Sequence, residues 1–341
     1  MKATKIISAC AVLVALASCS NDHVISQPGA EDMLTHMSVV SSVGSPKTKA
    51  ANAAGDVQDT QFAQNEVINV YLFENRDSYS GSVDEKKYGQ SSDGLVPMKA
   101  DGNGNTSVVN SSDVLYYPST GNEVNAYAYY PAISSEPGYN IIDSSTPTSF
   151  SVQTDQSGIA NYRKSDLMCA AKGSHAKAND PIDLTFKHKL SKIEVILKAD
   201  ATSGVTAAQL ANATVKIKNV LPTIALTSVS DGNIELGSPS GTAGDITIGE
   251  NGTTPDGTGG YAGIIVPQTI NASNSTIDFI NVTLAGGGSY SYKISNTSLT
   301  FATETKYTYT LTLTSGGLTV KSSINDWTSG TGDNNGNANL D

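Results

Sequence analysis

Ile182-Asp183-Leu184-Thr185-Phe186-Lys187-His188-Lys189-Leu190-Ser191-Lys192-Ile193-Glu194-Val195-Ile196-Leu197 is the stretch on which the fold turns. Side chains of an extended strand alternate between faces, so Ile182, Leu184, Phe186, His188 and Leu190 share one side, and Asp183, Thr185, Lys187 and Lys189 share the other. Beyond Ser191 the apolar set shifts by one, to Ile193, Val195 and Leu197. A one-residue slip turns core residues outward unless a bulge or bend resets the pleat. The stretch is therefore a bulged strand, or two strands meeting at Ser191-Lys192. It marks the start of a second domain near the middle of the sequence.

A chain of 341 residues has room for two cores. Only 16% of residues are charged, and Gly, Ser, Thr and Asn are abundant, a composition suited to short strands and turns and not to long salt-bridged helices. The net charge of −11, with no Lys/Arg cluster, excludes nucleic acid as a partner. The three cysteines are Cys10, Cys19 and Cys169. The first two fall in the N-terminal segment, which leaves Cys169 as a free thiol in apolar surroundings, expected in the core.

Residues 1–18 have the anatomy of a signal peptide, with Lys2 and Lys5 ahead of an apolar run from Ile6 to Leu16. That run is too short for a permanent membrane helix, and no later run reaches membrane length. The segment ends in Leu16-Ala17-Ser18-Cys19, which resembles the bacterial lipobox; the resemblance implies cleavage before Cys19 and acylation of its sulfur, giving a purely lipid anchor. Residues 19–49 form a polar leader with one strand-like piece, in which Met33, Met37, Val39 and Val43 share a face with Thr35 and Ser41. It runs into Gly44-Ser45-Pro46-Lys47-Thr48-Lys49-Ala50, a small-residue loop open to a trypsin-like protease.

Strand signals follow at Val67–Phe73, Val114–Tyr117, Val124–Tyr130, Ser149–Val152 and Leu167–Ala170 in a first domain over 50–181. A second domain over 182–327 continues with about seven more, clearest at Tyr307–Leu313, where large residues alternate with Thr. One short helical piece is expected at Ala207–Asn212. The tail 328–341 is polar and Gly/Asn-rich. Many short strands with regular turn signals predict an all-β protein of two sandwiches.

Catalytic chemistry finds little to stand on. Of four histidines, His23 and His36 lie in the leader, His175 in a polar loop, and His188 in phase with core residues, expected as a buried hydrogen-bonded side chain. No HExxH, Cys-x-x-Cys or phosphate loop is present, so no metal, cofactor or catalytic residue is assigned. Asp101-Gly102-Asn103-Gly104-Asn105 spaces oxygens like the start of a calcium loop, but Thr106 and Ser112 stand where Gly and Glu are required, and a hairpin turn is the better reading. Tyr127, Tyr129 and Tyr130 are candidates for a sugar-stacking platform, with Tyr127 and Tyr129 on one face and Tyr130 opposite.

Taken together, the lipobox, Ala126-Tyr127-Ala128-Tyr129-Tyr130-Pro131, Ser165-Asp166-Leu167-Met168, Leu184 to Ile193, and the closing strand leading to Ile324-Asn325-Asp326-Trp327 resemble the fimbrillin family of type V pilins. The resemblance implies two tandem transthyretin-like β-sandwiches and a lipid-anchored outer-membrane protein of the fimbrium. It also implies a leader cut after Lys47 or, preferably, Lys49, which leaves Ala50 first and releases the strand carrying Met33, Met37, Val39 and Val43. A donor strand from another subunit would then fill the groove by β-augmentation. The expected partners are other pilin subunits, the outer membrane through lipid, and host or bacterial surface ligands. The alternative is a monomeric surface lipoprotein that binds glycans.

Overall fold

In the computed structural model the described residues are 36–44, 61–74, 95–111, 115–118, 121–132, 149–230, 233–253, 259–314 and 316–326. The targeting segment 1–18, Cys19, Met33, Lys47, Lys49, Ala50, Trp327 and the tail 328–341 lie outside them.

The first strands are β1 (Val39–Val43), β2 (Val67–Glu74), β3 (Leu95–Ala100), β4 (Thr106–Val108), β5 (Val124–Tyr130), β6 (Ser149–Ser151) and β7 (Asp155–Gln156). A short helix α1 (Ile159–Lys164) precedes β8 (Met168–His175), β9 (Ile182–His188) and β10 (Ser191–Ala199). After helix α2 (Ala207–Ala211) come β11 (Thr214–Val220), β12 (Thr223–Ser230), β13 (Asn233–Ser240), β14 (Gly244–Thr253) and β15 (Gly259–Ile265). The last six are β16 (Gln268–Asn271), β17 (Thr276–Thr283), β18 (Ser289–Ser295), β19 (Ser298–Phe301), β20 (Thr305–Thr314) and β21 (Gly317–Asp326). The all-β expectation holds, with two sandwich-like groups of sheets. The helical piece expected at Ala207 is α2, closed by a reciprocal cap between Thr206 and Gln209.

A seven-stranded sheet runs β1-β9-β8-β5-β2-β3-β4. Its inner face holds one core, with Ile68, Val70, Leu72, Val96, Ala126, Ala128, Ile182, Leu184 and Phe186 among its members. The larger sheet runs β18-β17-β11-β14-β15-β10-β20-β21, with β7 beside β14, and a smaller one runs β13-β12-β6. These surround a second core, centred on Ile193, Val195, Leu197, Phe279, Tyr309 and Leu311. Tyr71, Tyr129 and Cys169, on the other face of the first sheet, pack into this second core.

The strand boundary at mid-chain differs from the sequence reading. β9 pairs with β1 and β8 in the first sheet, whereas β10 pairs with β15 and β20 in the second. The second sandwich therefore opens at Ser191 and not at Ile182. The phase slip has a physical cause: Ile182, Leu184 and Phe186 face one core, and Leu190, Ile193, Val195 and Leu197 face the other. Of the two alternatives, two strands and not one bulged strand occupy the stretch.

Residues 149–165 also depart from a strict tandem order, because β6 pairs with β12 and β7 with β14, inside the second group of sheets. The link is secured by Gln156, fully buried, whose Nε2 donates to the Ile264 carbonyl (2.8 Å) while its Oε1 accepts from the Ile264 N–H (2.7 Å). The amide presents a donor and an acceptor side by side, as a neighbouring strand would, and its second N–H reaches the Gln153 carbonyl (2.9 Å). At the same place Gly249 is required by close approach: a Cβ there would lie 2.5 Å from the Ser157 carbonyl oxygen.

On β10 and β20 a charged cluster lies beside the core. Lys192 Nζ is 3.1 Å from Glu194 Oε1, and Lys306 Nζ is 3.7 Å from Glu194 Oε2, which also accepts from Thr308 Oγ1 (3.2 Å). Burial alone would raise the Glu194 carboxyl, but the two lysines and the hydrogen bonds from Lys192 and Thr308 hold it below its ordinary value of 4.5. A depressed carboxylate stabilises the fold fully above that ordinary value, and the contribution is lost as pH falls through the lower folded value. Glu194→Gln should therefore lower the melting temperature near pH 7, and the gap to the unaltered chain should close progressively as pH is lowered below 4.5. A gap that is constant between pH 7 and pH 3 in thermal melts would contradict this.

Candidate functional site

The first sheet is completed by β1, and β1 is where the sequence places its candidate residues. It runs parallel to β9 in the register Val39 to Ile182, Ser41 to Leu184 and Val43 to Phe186. The ladder is extended by Ile182 N–H donating to the Ser38 carbonyl and Gly44 N–H to the Phe186 carbonyl, both at 2.8 Å. On its other side β1 meets the β3–β4 hairpin, where Val40 bridges Asn105, Ser41 N–H donates to the Gly104 carbonyl (2.8 Å) and Thr106 Oγ1 donates to the Val39 carbonyl (2.5 Å). Just before the strand, Met37 N–H donates to the Leu115 carbonyl (2.9 Å) and the His36 ring lies 4.4 Å from that of Tyr116. β1 thus joins the two ends of the sheet, and the first sandwich closes around it.

Of the face read in the leader, Met37, Val39 and Val43 are buried against Ile182, Leu184 and Phe186, and Met33 and Thr35 lie outside the described residues. The strand proper starts at Val39, later than the expected span. Burying three such side chains is worth roughly 5–9 kcal/mol, a large share of an ordinary domain's stability of about 5–15 kcal/mol. β1 is accordingly integral to the first core.

The Asp101–Asn105 stretch is the turn of the β3–β4 hairpin. Asp101 Oδ1 accepts from the N–H groups of Asn103 (2.6 Å) and Asn105 (3.1 Å), and Oδ2 accepts from Asn105 Nδ2 (2.8 Å). The Asn105 side chain first, and then the Asn103 N–H, hold this carboxyl below its usual range. The carboxylate is engaged by its own loop, in the manner of an Asx turn. Gly102 and Gly104 take positive φ, +84° and +93°, and this brings the Gly104 carbonyl to β1. The hairpin turn that the sequence suggested is therefore one rail of the β1 seat, a role that a linear reading gave no means to see.

Elsewhere the proposed chemistry resolves into structure. His188 is buried with its Nδ1 2.8 Å from Asp166 Oδ1. His175 Nδ1 lies 3.0 Å from the Tyr117 hydroxyl. Cys169 is buried, and burial pushes its thiol up. Tyr129 and Tyr130 are both buried, on opposite faces of β5, and Tyr130 donates to Glu66 Oε2 (2.8 Å), while Tyr127 is half-buried, so the three candidates do not form one exposed face. Among the described residues no group of three or more His, Cys, Asp and Glu is placed to hold a metal ion.

Fold and seat together define an all-β protein whose first sheet is closed by β1. The chain belongs to the fimbrillin-like family, whose profile matches residues 48–327. It is similar to a candidate fimbrium subunit, Fim1C, of Bacteroides uniformis, at 28% identity over 223 residues. That alignment covers 64% of this chain and 66% of the relative, just under two thirds of it. Among solved structures, a candidate cell adhesion protein of Bacteroides ovatus aligns with a TM-score of 0.59 and 17% identity, covering 86% of this chain and 98% of the other. Another, from Bacteroides uniformis, aligns with a TM-score of 0.56 and 21% identity, covering 88% and 100%. These likenesses carry the fold. Family membership makes the chain a fimbrial structural protein at the cell surface and not an enzyme.

Because Leu184 is fully buried opposite β1, Leu184→Ala should destabilise the chain by about 2–5 kcal/mol. Hydrogen exchange should quicken in β1 before it does in β20. Equal acceleration in both strands would place the loss in global unfolding and not in the seat.

Proposed function

We propose that this chain is a subunit of a surface fimbrium, brought to the outer membrane as a lipoprotein acylated on Cys19 and assembled by exchanging β1 for a strand of another subunit. The observation that carries the reading is the seat itself: one short strand between β9 and the β3–β4 hairpin, with its apolar side chains buried and two lysines, Lys47 and Lys49, following it in the sequence. A cut after Lys49, or after Lys47, separates β1 from the rest of the chain and leaves Ala50 or Thr48 at the new N-terminus. The family profile begins at residue 48, beyond β1, which supports the body being the unit that persists.

β-Augmentation supplies the physics. A vacated seat offers main-chain hydrogen-bonding groups on Ile182–Phe186 and at Gly104, and an apolar trough lined by Leu184 and Phe186. An incoming strand with alternating apolar residues satisfies both. Other pilin subunits are the partners on this reading, and lipid is the membrane link. Nothing in the burial of Tyr129 and Tyr130 favours a glycan-binding monomer.

Material sheared from cells, analysed for its N-terminal residue and assembly state, tests the proposal. High-order assemblies whose subunits start at Ala50 are expected. Monomers retaining lipidated Cys19 would overturn it.

A further inference from the structure

The row of side chains that β1 turns into the core reads Met37, Val39, Ser41, Val43, and one of the four does not suit its place. Ser41 is 2% exposed, and its Oγ has no hydrogen-bond partner. Its register partner is the fully buried Leu184, and Val39 and Val43 flank it in the row. The rest of the strand is well served. The Ser41 N–H reaches the Gly104 carbonyl, and Ser42, facing the other way, pairs its hydroxyl with that of Thr185.

Two other serines among the described residues are buried, and both are partnered. Ser165 Oγ donates to the Asn161 carbonyl (2.9 Å), and Ser191 Oγ donates to the Ala302 carbonyl (2.7 Å). Both of these serine hydroxyls, on segments that the exchange would leave in place, are satisfied. The unpartnered one lies on the strand that the proposed exchange would discard. A buried hydroxyl without a partner loses its hydration and gains no hydrogen bond in return, which weakens the hold of its segment by about tenfold or more.

We propose that Ser41 makes β1 displaceable, and that the position opposite Leu184 selects an incoming strand of another subunit bearing an aliphatic side chain where β1 carries a hydroxyl. This rests on the strand-exchange reading above and adds a specificity determinant to it. β1 is held tightly enough to close the first core during folding, yet it loses to a strand of the same alternation whose four inward residues are all apolar. The seat needs no change of shape to discriminate, because the difference lies in one desolvated oxygen.

The test uses the folded full chain nicked after Lys47 or Lys49 by brief trypsin treatment. Three synthetic peptides spanning residues 36–44 compete for the seat: the unaltered sequence, Ser41→Ala and Ser41→Val. Displacement of the β1 fragment is followed by native mass spectrometry. The Ala peptide removes the hydroxyl without adding volume, so it remains informative if Val is too large. At least one of the two altered peptides should displace β1 at about one tenth of the concentration the Ser peptide requires. In the intact chain, Ser41→Ala should slow amide exchange in β1 by a similar factor and leave β20 unchanged. Equal competition by all three peptides, or an advantage for Ser, overturns the role of Ser41 while leaving strand exchange standing. Failure of every peptide to displace β1 overturns both.

Discussion

The chain passes between its two groups of sheets three times, and the hydrogen bond between His188 and Asp166 ties the last two of those crossings together. Asp166 lies where the chain leaves the 149–165 excursion and returns to the first sheet; His188 ends β9, where it leaves that sheet for good. Beside them Lys189 N–H donates to the Leu167 carbonyl, and Lys189 Nζ lies 3.2 Å from Glu304 Oε1. Both crossings are thus pinned in one buried place. A buried pair of this kind costs desolvation and gives geometry in return. Here the geometry fixes which residue is the first to face the second core. That residue is Leu190, and its carbonyl accepts from Glu304 N–H at the start of β20.

The position of β9 follows from this pinning, and the seat of β1 follows from β9. Held at its C-terminal end by His188, β9 presents Ile182, Leu184 and Phe186 to the first core and its free ladder edge to β1. Parallel strands need a long connection, and the more than one hundred residues between β1 and β9 supply it. A strand paired in parallel across so long an interval is bound by its seat and not by a turn. That connectivity is the reason β1 could be separated from the body by a single cut without breaking any hairpin.

Much of this was legible in the sequence because alternation is a local signal. The β2, β5, β11 and β20 strands, the inward set Met37, Val39 and Val43, and the burial of His188 all follow from period-two reading. What escaped was non-local. The slip at Ser191 is visible in the sequence, but its meaning depends on which core each side faces, and alternation alone puts the boundary at Ile182 and not at Ser191. β6 and β7 were too short to reveal that they belong with β12 and β14. β3 carries Pro97 and β4 has three residues, so the second wall of the seat left no strand signal, only the turn Asp101–Asn105. Ser41 was seen to share the apolar face, but a want of partners cannot be read from a sequence.

An empty seat would be a poor state for this molecule, and that bears on the order of events in the proposed exchange. Removing β1 exposes Leu184, Phe186 and their neighbours, roughly 5–9 kcal/mol of burial, and leaves two ladder edges of the kind that pair indiscriminately with other chains. Since that loss is comparable to the stability of the whole domain, a body that lost β1 well before receiving a replacement would unfold or aggregate. The cut and the departure are therefore separable steps. After the chain is nicked, the hydrogen bonds to Ser38, Ser41 and Gly44 and the buried Met37, Val39 and Val43 still hold β1 in place without a covalent link. Departure then waits on a competitor that fills the trough as β1 vacates it, residue by residue along β9. On this account proteolysis licenses assembly, and the incoming strand drives it.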